Sequence, residues 1–252
     1  MDLYYGTCGF PRSKKKLREM VNAVEVQQTF YKPPSLETLR KWREELGEEM
    51  RIHLKAWQLV THPPTSPTYK RVGIRIPKEK VDKYGFLRLT DEVKEAWMKT
   101  VECAKALRGD FIVVQTPPSF GYSEENVRRA REFFKWARKS WERIAWEPRG
   151  TWREHLDAVK KIVEETGVIH AVDPFRLWPP RSGTEILYLR LHGRGGKEVN
   201  YRYKYTDEDL RELAEMIINV KPNEAHVMFN NVYMLQDALR FKELFDKLAR
   251  EN

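Results

Sequence analysis

The stretch Glu185-Ile186-Leu187-Tyr188-Leu189-Arg190-Leu191-His192 decides the fold. Successive side chains of a strand point to opposite faces, so this run carries Leu187, Leu189 and Leu191 on one face and Tyr188, Arg190 and His192 on the other. Only one face of the strand can meet surrounding helices, and three leucines mark it. Tyr188, Arg190 and His192 are therefore expected to point inward.

Seven further runs rich in β-branched and aromatic residues recur along the chain, over 3–8, 23–29, 51–57, 111–116, 143–149, 168–174 and 225–230. Amphipathic stretches separate them, over 14–22, 36–47, 91–107, 124–139, 152–166, 207–220 and 235–250. Ser35, Ser123 and Thr206 stand where helix N-caps belong, and Asp209, three residues past Thr206, completes a capping-box pattern. Eight strands alternating with helices in 252 residues predict one domain over 1–252, a closed (β/α)8 barrel of the TIM type. A doubly wound open sheet is the alternative. Residues 61–90, rich in Pro and Lys, read as an insertion after the third strand that forms part of the barrel mouth.

The same alternation sorts the other strands. It sends Ile52, Leu54 and Ala56 outward and His53, Lys55 and Trp57 inward. It sends Val24 and Val26 outward and Glu25, Gln27 and Thr29 inward. Ile144 and Trp146 face out while Glu147 and Arg149 face in; Val227 and Phe229 face out while His226, Met228 and Asn230 face in. Asp173 ends its strand just before Pro174 with either parity open. Barrel interiors are usually filled by branched aliphatics, and barrel chemistry sits at the carboxyl ends of strands. Burying Glu, Lys, Arg and His together costs several kcal/mol per ion unless each is paired. A functional site is therefore expected from Glu25, Lys55, Glu147, Arg149, Arg190, His192 and Asn230. The plain alternative is a satisfied ionic network such as Glu147–Arg149. His53 and His226 lie deeper along their strands and are expected to be hydrogen-bonded core.

Composition bounds the partners. Lys plus Arg number 46 against 37 Asp plus Glu, a net charge of +9, and the pI is near 9.4. This suits anionic substrates or nucleic acid, although mixed-sign helices are also what a thermophile's ion-pair-rich surface looks like. No stretch approaches the roughly 18 apolar residues of a membrane span, and Met1-Asp2-Leu3-Tyr4-Tyr5-Gly6 lacks the regions of a signal peptide. Two cysteines, Cys8 and Cys103, form no disulfide framework or zinc site, which points to a reducing, cytoplasmic compartment.

Several segments resemble the YecE-like family, domain of unknown function 72 (DUF72). Gly6-Thr7-Cys8-Gly9-Phe10 resembles its opening motif, with Cys8 where Ser is usual. Val24-Glu25-Val26-Gln27-Gln28-Thr29-Phe30-Tyr31 is similar to its VEVNSTFY segment, with Gln27-Gln28 replacing Asn-Ser. Lys55-Ala56 with Thr61-His62, then Gln115-Thr116-Pro117-Pro118-Ser119-Phe120 and Glu147-Pro148-Arg149, resemble further blocks. So do Arg190-Leu191-His192-Gly193, Tyr201…Tyr205 and Phe229-Asn230-Asn231. The resemblance runs nearly end to end and implies a TIM-type barrel with these residues at its mouth. It implies no reaction.

Three chemistries fit the residues. Glu147, Asp173 and His192, on the fifth, sixth and seventh strands, are carboxylate and imidazole donors suited to a divalent metal, as in sugar isomerase and apurinic-site endonuclease barrels. Against this, Asn230 occupies the eighth strand where an anionic ligand would help, and Arg149 and Arg190 repel a cation. The second is metal-free catalysis on an anionic ligand: Lys55, Arg149 and Arg190 hold phosphate or carboxylate, Glu25 or Glu147 is the base and His192 the acid. The paired carboxylates also suit glycoside hydrolysis. The third is nucleic-acid binding or processing. Two basic runs, Arg12-Ser13-Lys14-Lys15-Lys16 and Arg128-Arg129-Ala130-Arg131, accompany Trp178, Tyr201, Tyr203 and Tyr205 in mouth loops, where rings stack bases and cations hold phosphates. Gly193-Arg194-Gly195-Gly196-Lys197 offers backbone amides to a phosphate but matches neither a P-loop nor a dinucleotide fingerprint. The combined expectation is a hydrolase of a phosphate-bearing substrate, nucleic acid included, acting by phosphodiester cleavage. A non-catalytic binder of nucleic acid or of a small anion, and a sugar isomerase or glycosidase, are the alternatives.

Overall fold

The computed structural model describes residues 1–178, 185–196 and 198–251. Its elements follow in chain order: β1 (Asp2–Cys8), α1 (Lys14–Leu17), β2 (Ala23–Val26), α2 (Gln28–Tyr31), α3 (Leu36–Leu46), β3 (Arg51–Lys55), α4 (Gln58–Thr61) and α5 (Asp91–Leu107). Then come β4 (Ile112–Gln115), α6 (Glu124–Ala137), β5 (Ile144–Glu147), α7 (Leu156–Thr166), β6 (Ile169–Val172), β7 (Ile186–Leu191), α8 (Asp207–Val220), β8 (Glu224–Phe229) and α9 (Met234–Glu251). The strands are ordered β1 to β8 around a closed barrel, and every registered pair is parallel. The expected (β/α)8 fold is the observed one.

Contacts gather the residues into two compact units. The first is Met1–Glu25 with Glu45–Arg51 and Ala171–Asn252; the second is Val26–Glu44 with Ile52–His170. In the first, Phe229 of β8 meets Phe241 of α9 at 5.9 Å between ring centres. In the second, Trp146 of β5 meets Phe134 of α6 at 5.3 Å. Both rings are on the strand faces expected to look outward. Close strand approach also constrains β1: a side chain on Gly6 would put Cβ 1.7 Å from the carbonyl oxygen of Ala23, so only glycine fits.

The helix starts are as expected. Ser35 Oγ accepts from Thr38 N, Ser123 Oγ accepts from Asn126 N, and Thr206 forms a full capping box with Asp209. Neither Cys8 nor Cys103 is in a disulfide, and both are buried. Among the described residues no helix is long and apolar enough to cross a membrane.

Four expectations are corrected at element ends. The second strand stops at Val26, because Gln27 turns into helical backbone (φ −90°, ψ −24°) and Gln28–Tyr31 is a helical turn. Thr29 is thus not a strand residue; its Oγ1 donates to the Lys55 carbonyl at 2.7 Å. The third strand stops at Lys55, so alternation no longer governs Trp57. Its backbone N–H instead donates to Thr100 Oγ1 on α5, and its ring lines a groove with Leu59, Ile74 and Met98. The first helix is one turn, ending at Leu17 rather than 22. Trp152 is not in α7 but in a 3-10 turn, Gly150–Glu154, where it is buried with Nε1 donating to the Phe120 carbonyl. The insertion contains two 3-10 turns, Pro67–Arg71 and Lys78–Lys83.

Candidate functional site

In the first unit the register of parallel partners sets the geometry, since paired residues share a face. Cys8 lies beside Glu25, Tyr188 beside His226, and Arg190 beside Met228. Glu25 and Arg190 are both fully buried and form a two-point ion pair: Nη2 donates to Oε1 at 2.6 Å and Nε to Oε2 at 3.0 Å. Tyr188 Oη donates to the same Oε2 at 3.1 Å. Burial, and then the Glu25 charge, push the Tyr188 phenol well above its ordinary value, so it stays a donor. The planar fork of Arg190, expected to face a ligand, is thus engaged with Glu25.

At the carboxyl end of β7, His192 Nδ1 lies 3.1 Å from Asn230 Nδ2. The amide nitrogen only donates, so His192 Nδ1 is the acceptor of this pair. Tyr201, 44% exposed, stands edge-on to His192 with ring centres 6.1 Å apart. Asp173 follows β6; its Oδ2 accepts from His192 N at 3.0 Å and its Oδ1 from Phe175 N at 3.1 Å, with Arg176 Nε 3.5 Å from Oδ2. Both carboxylate oxygens therefore serve the backbone. His226 is core, as expected: it stacks between Tyr4 and Tyr188 and meets Glu224 at 3.1 Å.

Two loop expectations are corrected. Arg176 donates to the carbonyls of Gly193, Gly195 and Gly196, so this loop turns oxygens toward a cation, not amides toward a phosphate; Lys197 lies outside the described residues. Tyr205 is buried against Phe175 and Phe229, its Oη accepting from Gly193 N at 2.7 Å, and Tyr203 donates to Asp209 at 2.6 Å. Tyr205 therefore offers no ring for stacking, Tyr203 is half-buried, and Tyr201 is exposed. Of the basic runs, Lys14 pairs with Glu45, Arg129 with Glu125 and Arg131 with Glu165, while Arg12, Lys15, Lys16 and Arg128 are exposed.

In the second unit a polar row crosses the carboxyl ends of β3, β4 and β5. Lys55 Nζ donates to Gln115 Oε1 at 2.9 Å and lies 4.0 Å over the Phe30 ring. Gln115 is the register partner of Glu147, so both point the same way, and Arg149 Nε donates to Glu147 Oε1 at 2.6 Å. Lys55, Gln115 and Glu147 are buried. His62, just past α4, meets the same Phe30 ring edge-on at 4.9 Å, and its Nδ1 bonds Thr61 Oγ1 at 2.7 Å. Gln115 and His62 were given no role in the expected site, although the family resemblance already placed both at the mouth. Gln115 was legible, since it shares parity with Val113 at its strand's end; His62 follows an irregular turn and carries no periodic signal.

Burial, then the charges of Lys55 and Arg149, lower His62 to about 3. Burial also lowers His170 to about 4, against a smaller opposing pull from Glu147. The unfolded chain protonates both near 6.5, so below that pH it binds more protons than the folded chain. Stability is then fully present above 6.5 and falls as pH falls, by about 1.4 kcal/mol per pH unit for each histidine until its folded value is reached. Urea midpoints should drop from about pH 7.5 to about pH 5, and less steeply in His62→Gln. Equal slopes in parent and variant would contradict the neutral, buried His62.

A closed parallel barrel with buried ionic groups at strand carboxyl ends defines a TIM-type barrel of the kind that carries polar sites there. The chain belongs to the family described as protein of unknown function DUF72, whose model matches residues 11–252. A DUF72 family protein from Enterococcus faecalis V583 is similar at 18% identity and TM-score 0.69, over 97% of this chain and 95% of that one. One from Thermotoga maritima MSB8 is similar at 21% identity and TM-score 0.66, over 98% and 100%. D-psicose 3-epimerase shares the fold at 10% identity and TM-score 0.53, over 94% and 91%. No curated protein matches the chain.

Proposed function

We propose that this protein is a hydrolase of a phosphate-bearing substrate. The observation that carries this reading is the row Lys55–Gln115–Glu147–Arg149, buried as far as Glu147 and half-buried at Arg149, which sets two cations beside one carboxylate and a neutral imidazole. Lys55 and Arg149 hold the anionic group. Glu147, oriented by Arg149, takes a proton from water as the water oxygen bonds to phosphorus; the bond to the leaving oxygen breaks, and that oxygen takes a proton from solvent. Independently of that row, the exposed Tyr201 ring of the first unit is a proposed contact for a nucleic-acid base, and the buried Glu25–Arg190 pair of the same unit is a proposed rigid support. Glu147, Asp173 and His192 are a poor metal set, because Arg149 is bonded to Glu147 and Arg176 Nε lies 3.5 Å from Asp173 Oδ2, cations that oppose a metal ion at either carboxylate; the proposed chemistry is metal-independent.

The test is hydrolysis of a chromogenic phosphodiester, with and without EDTA, beside a salt titration of single-stranded oligonucleotide binding. The expected results are turnover that survives EDTA, and affinity that falls by about 0.7 log unit per log unit of salt for each phosphate neutralised. Turnover of a sugar without turnover of any phosphoester would overturn the reading in favour of an isomerase or glycosidase. Binding without turnover would leave a non-catalytic anion or nucleic-acid binder.

A further inference from the structure

Three consecutive residues of the insertion, Gly85, Phe86 and Leu87, have φ values of 73°, 55° and 53°. Non-glycine residues rarely occupy this left-handed region, and a bulky pair in succession persists only where surrounding bonds hold it. Those bonds all run to one place. Gly85 N donates to Leu59 O at 2.8 Å, Leu87 N to Val60 O at 3.1 Å, and Phe86 N to Thr61 O at 3.1 Å. Tyr69 Oη donates to His62 O at 2.8 Å. Four successive carbonyls, from Leu59 to His62, are therefore satisfied by the insertion. A side chain on Gly85 would bring Cβ within 2.3 Å of His62 O, so the strained turn lies directly against the backbone of His62.

The segment fastened in this way has no helix of its own to fix it, since α4 is a single turn. What the fastening secures is the His62 ring, edge-on to Phe30 and bonded through Nδ1 to Thr61, while Lys55 lies over the face of that same Phe30. We propose that His62 contacts the bound anionic group together with Lys55 and Arg149, and that the left-handed turn Gly85-Phe86-Leu87 is the brace that positions it. The inference rests on the anion site proposed above and adds to it a ligand-contacting residue and the role of the insertion. With Nδ1 engaged by Thr61, Nε2 is the ring atom left to meet a phosphate oxygen.

The experiment uses inorganic phosphate as the probe and the full chain. Parent, Lys55→Met, His62→Gln and Gly85→Ala are compared by calorimetric titration, and the histidine ring signals of the parent are followed by NMR, with His62 assigned by its loss in His62→Gln. The expected results are a phosphate-dependent shift of the His62 ring signal and affinity about tenfold weaker in His62→Gln and in Gly85→Ala, the loss of one charge-assisted hydrogen bond. Should Gly85→Ala fail to fold, His62→Gln and the ring signal decide. Loss of binding in Lys55→Met with no shift of the His62 signal and parent affinity in His62→Gln overturns this inference and leaves the anion site standing. No phosphate binding by the parent overturns both.

Discussion

Glu25→Ala is expected to lower stability by about 3–5 kcal/mol, because it leaves the Arg190 guanidinium charged, buried and without its carboxylate. Arg190 and Glu25 are both fully buried, and two donors of the fork end on Glu25. Tyr188 loses its acceptor in the same variant. For a chain of this size the corresponding fall in melting temperature is about 2–4 °C per kcal/mol. Arg190→Lys keeps the charge but loses the planar two-point bond, so it should also melt earlier while binding phosphate as the parent does. Replacing both partners together, as Glu25→Leu with Arg190→Met, should cost far less than Glu25→Ala alone, since no orphaned charge remains. Denaturant unfolding of these variants measures all three effects. A Glu25→Ala protein within about 1 kcal/mol of the parent would show that the pair is solvated and not the rigid support inferred here.

Lys55→Met is expected to act on function instead of the fold. Methionine fills the space of the lysine stem over Phe30, and the main structural loss is one donor to Gln115 Oε1, worth about 1–3 kcal/mol. The anion site, however, loses one of its two permanent cations. Phosphate affinity and phosphodiester turnover should fall by about 10²-fold or more, the usual effect of removing one preorganised electrostatic contact. Turnover and phosphate titration on the same folded sample check this. Unchanged turnover in Lys55→Met would remove Lys55 from the reaction and, with it, the row on which the proposed function depends.

Much of the barrel was legible because a strand's two-residue period and a helix's 3.6-residue period are local properties of the chain. The alternation at Leu187–Leu191 marked which face carried Tyr188 and Arg190, and the register of β7 with β8 agrees, pairing Tyr188 with His226 and Arg190 with Met228. Ser123 and Thr206 announced helix starts because a cap bonds to an amide only a few residues away. Alternation failed where strands ended. Trp57 and Thr29 lie one to three residues beyond the last ladder bond, and there the chain turned toward partners that parity does not describe.

By itself, then, the sequence determined the eight strands, the faces of their side chains and the family, all of which depend on short-range periodicity or on motifs contiguous in the chain. Only the tertiary structure decided which charge meets which. It gave Arg190 to Glu25, Asp173 to the amides of His192 and Phe175, and the glycine-loop carbonyls to Arg176. It also brought His62 to Phe30 and Lys55, held from behind by the turn at Gly85. The physical reason is that, apart from the local Asp173–Phe175 bond, these partners are distant in the chain, 165 residues for Arg190 and Glu25 and 17 for Arg176 and Gly193, so distance and direction between their side chains exist only once the barrel has closed.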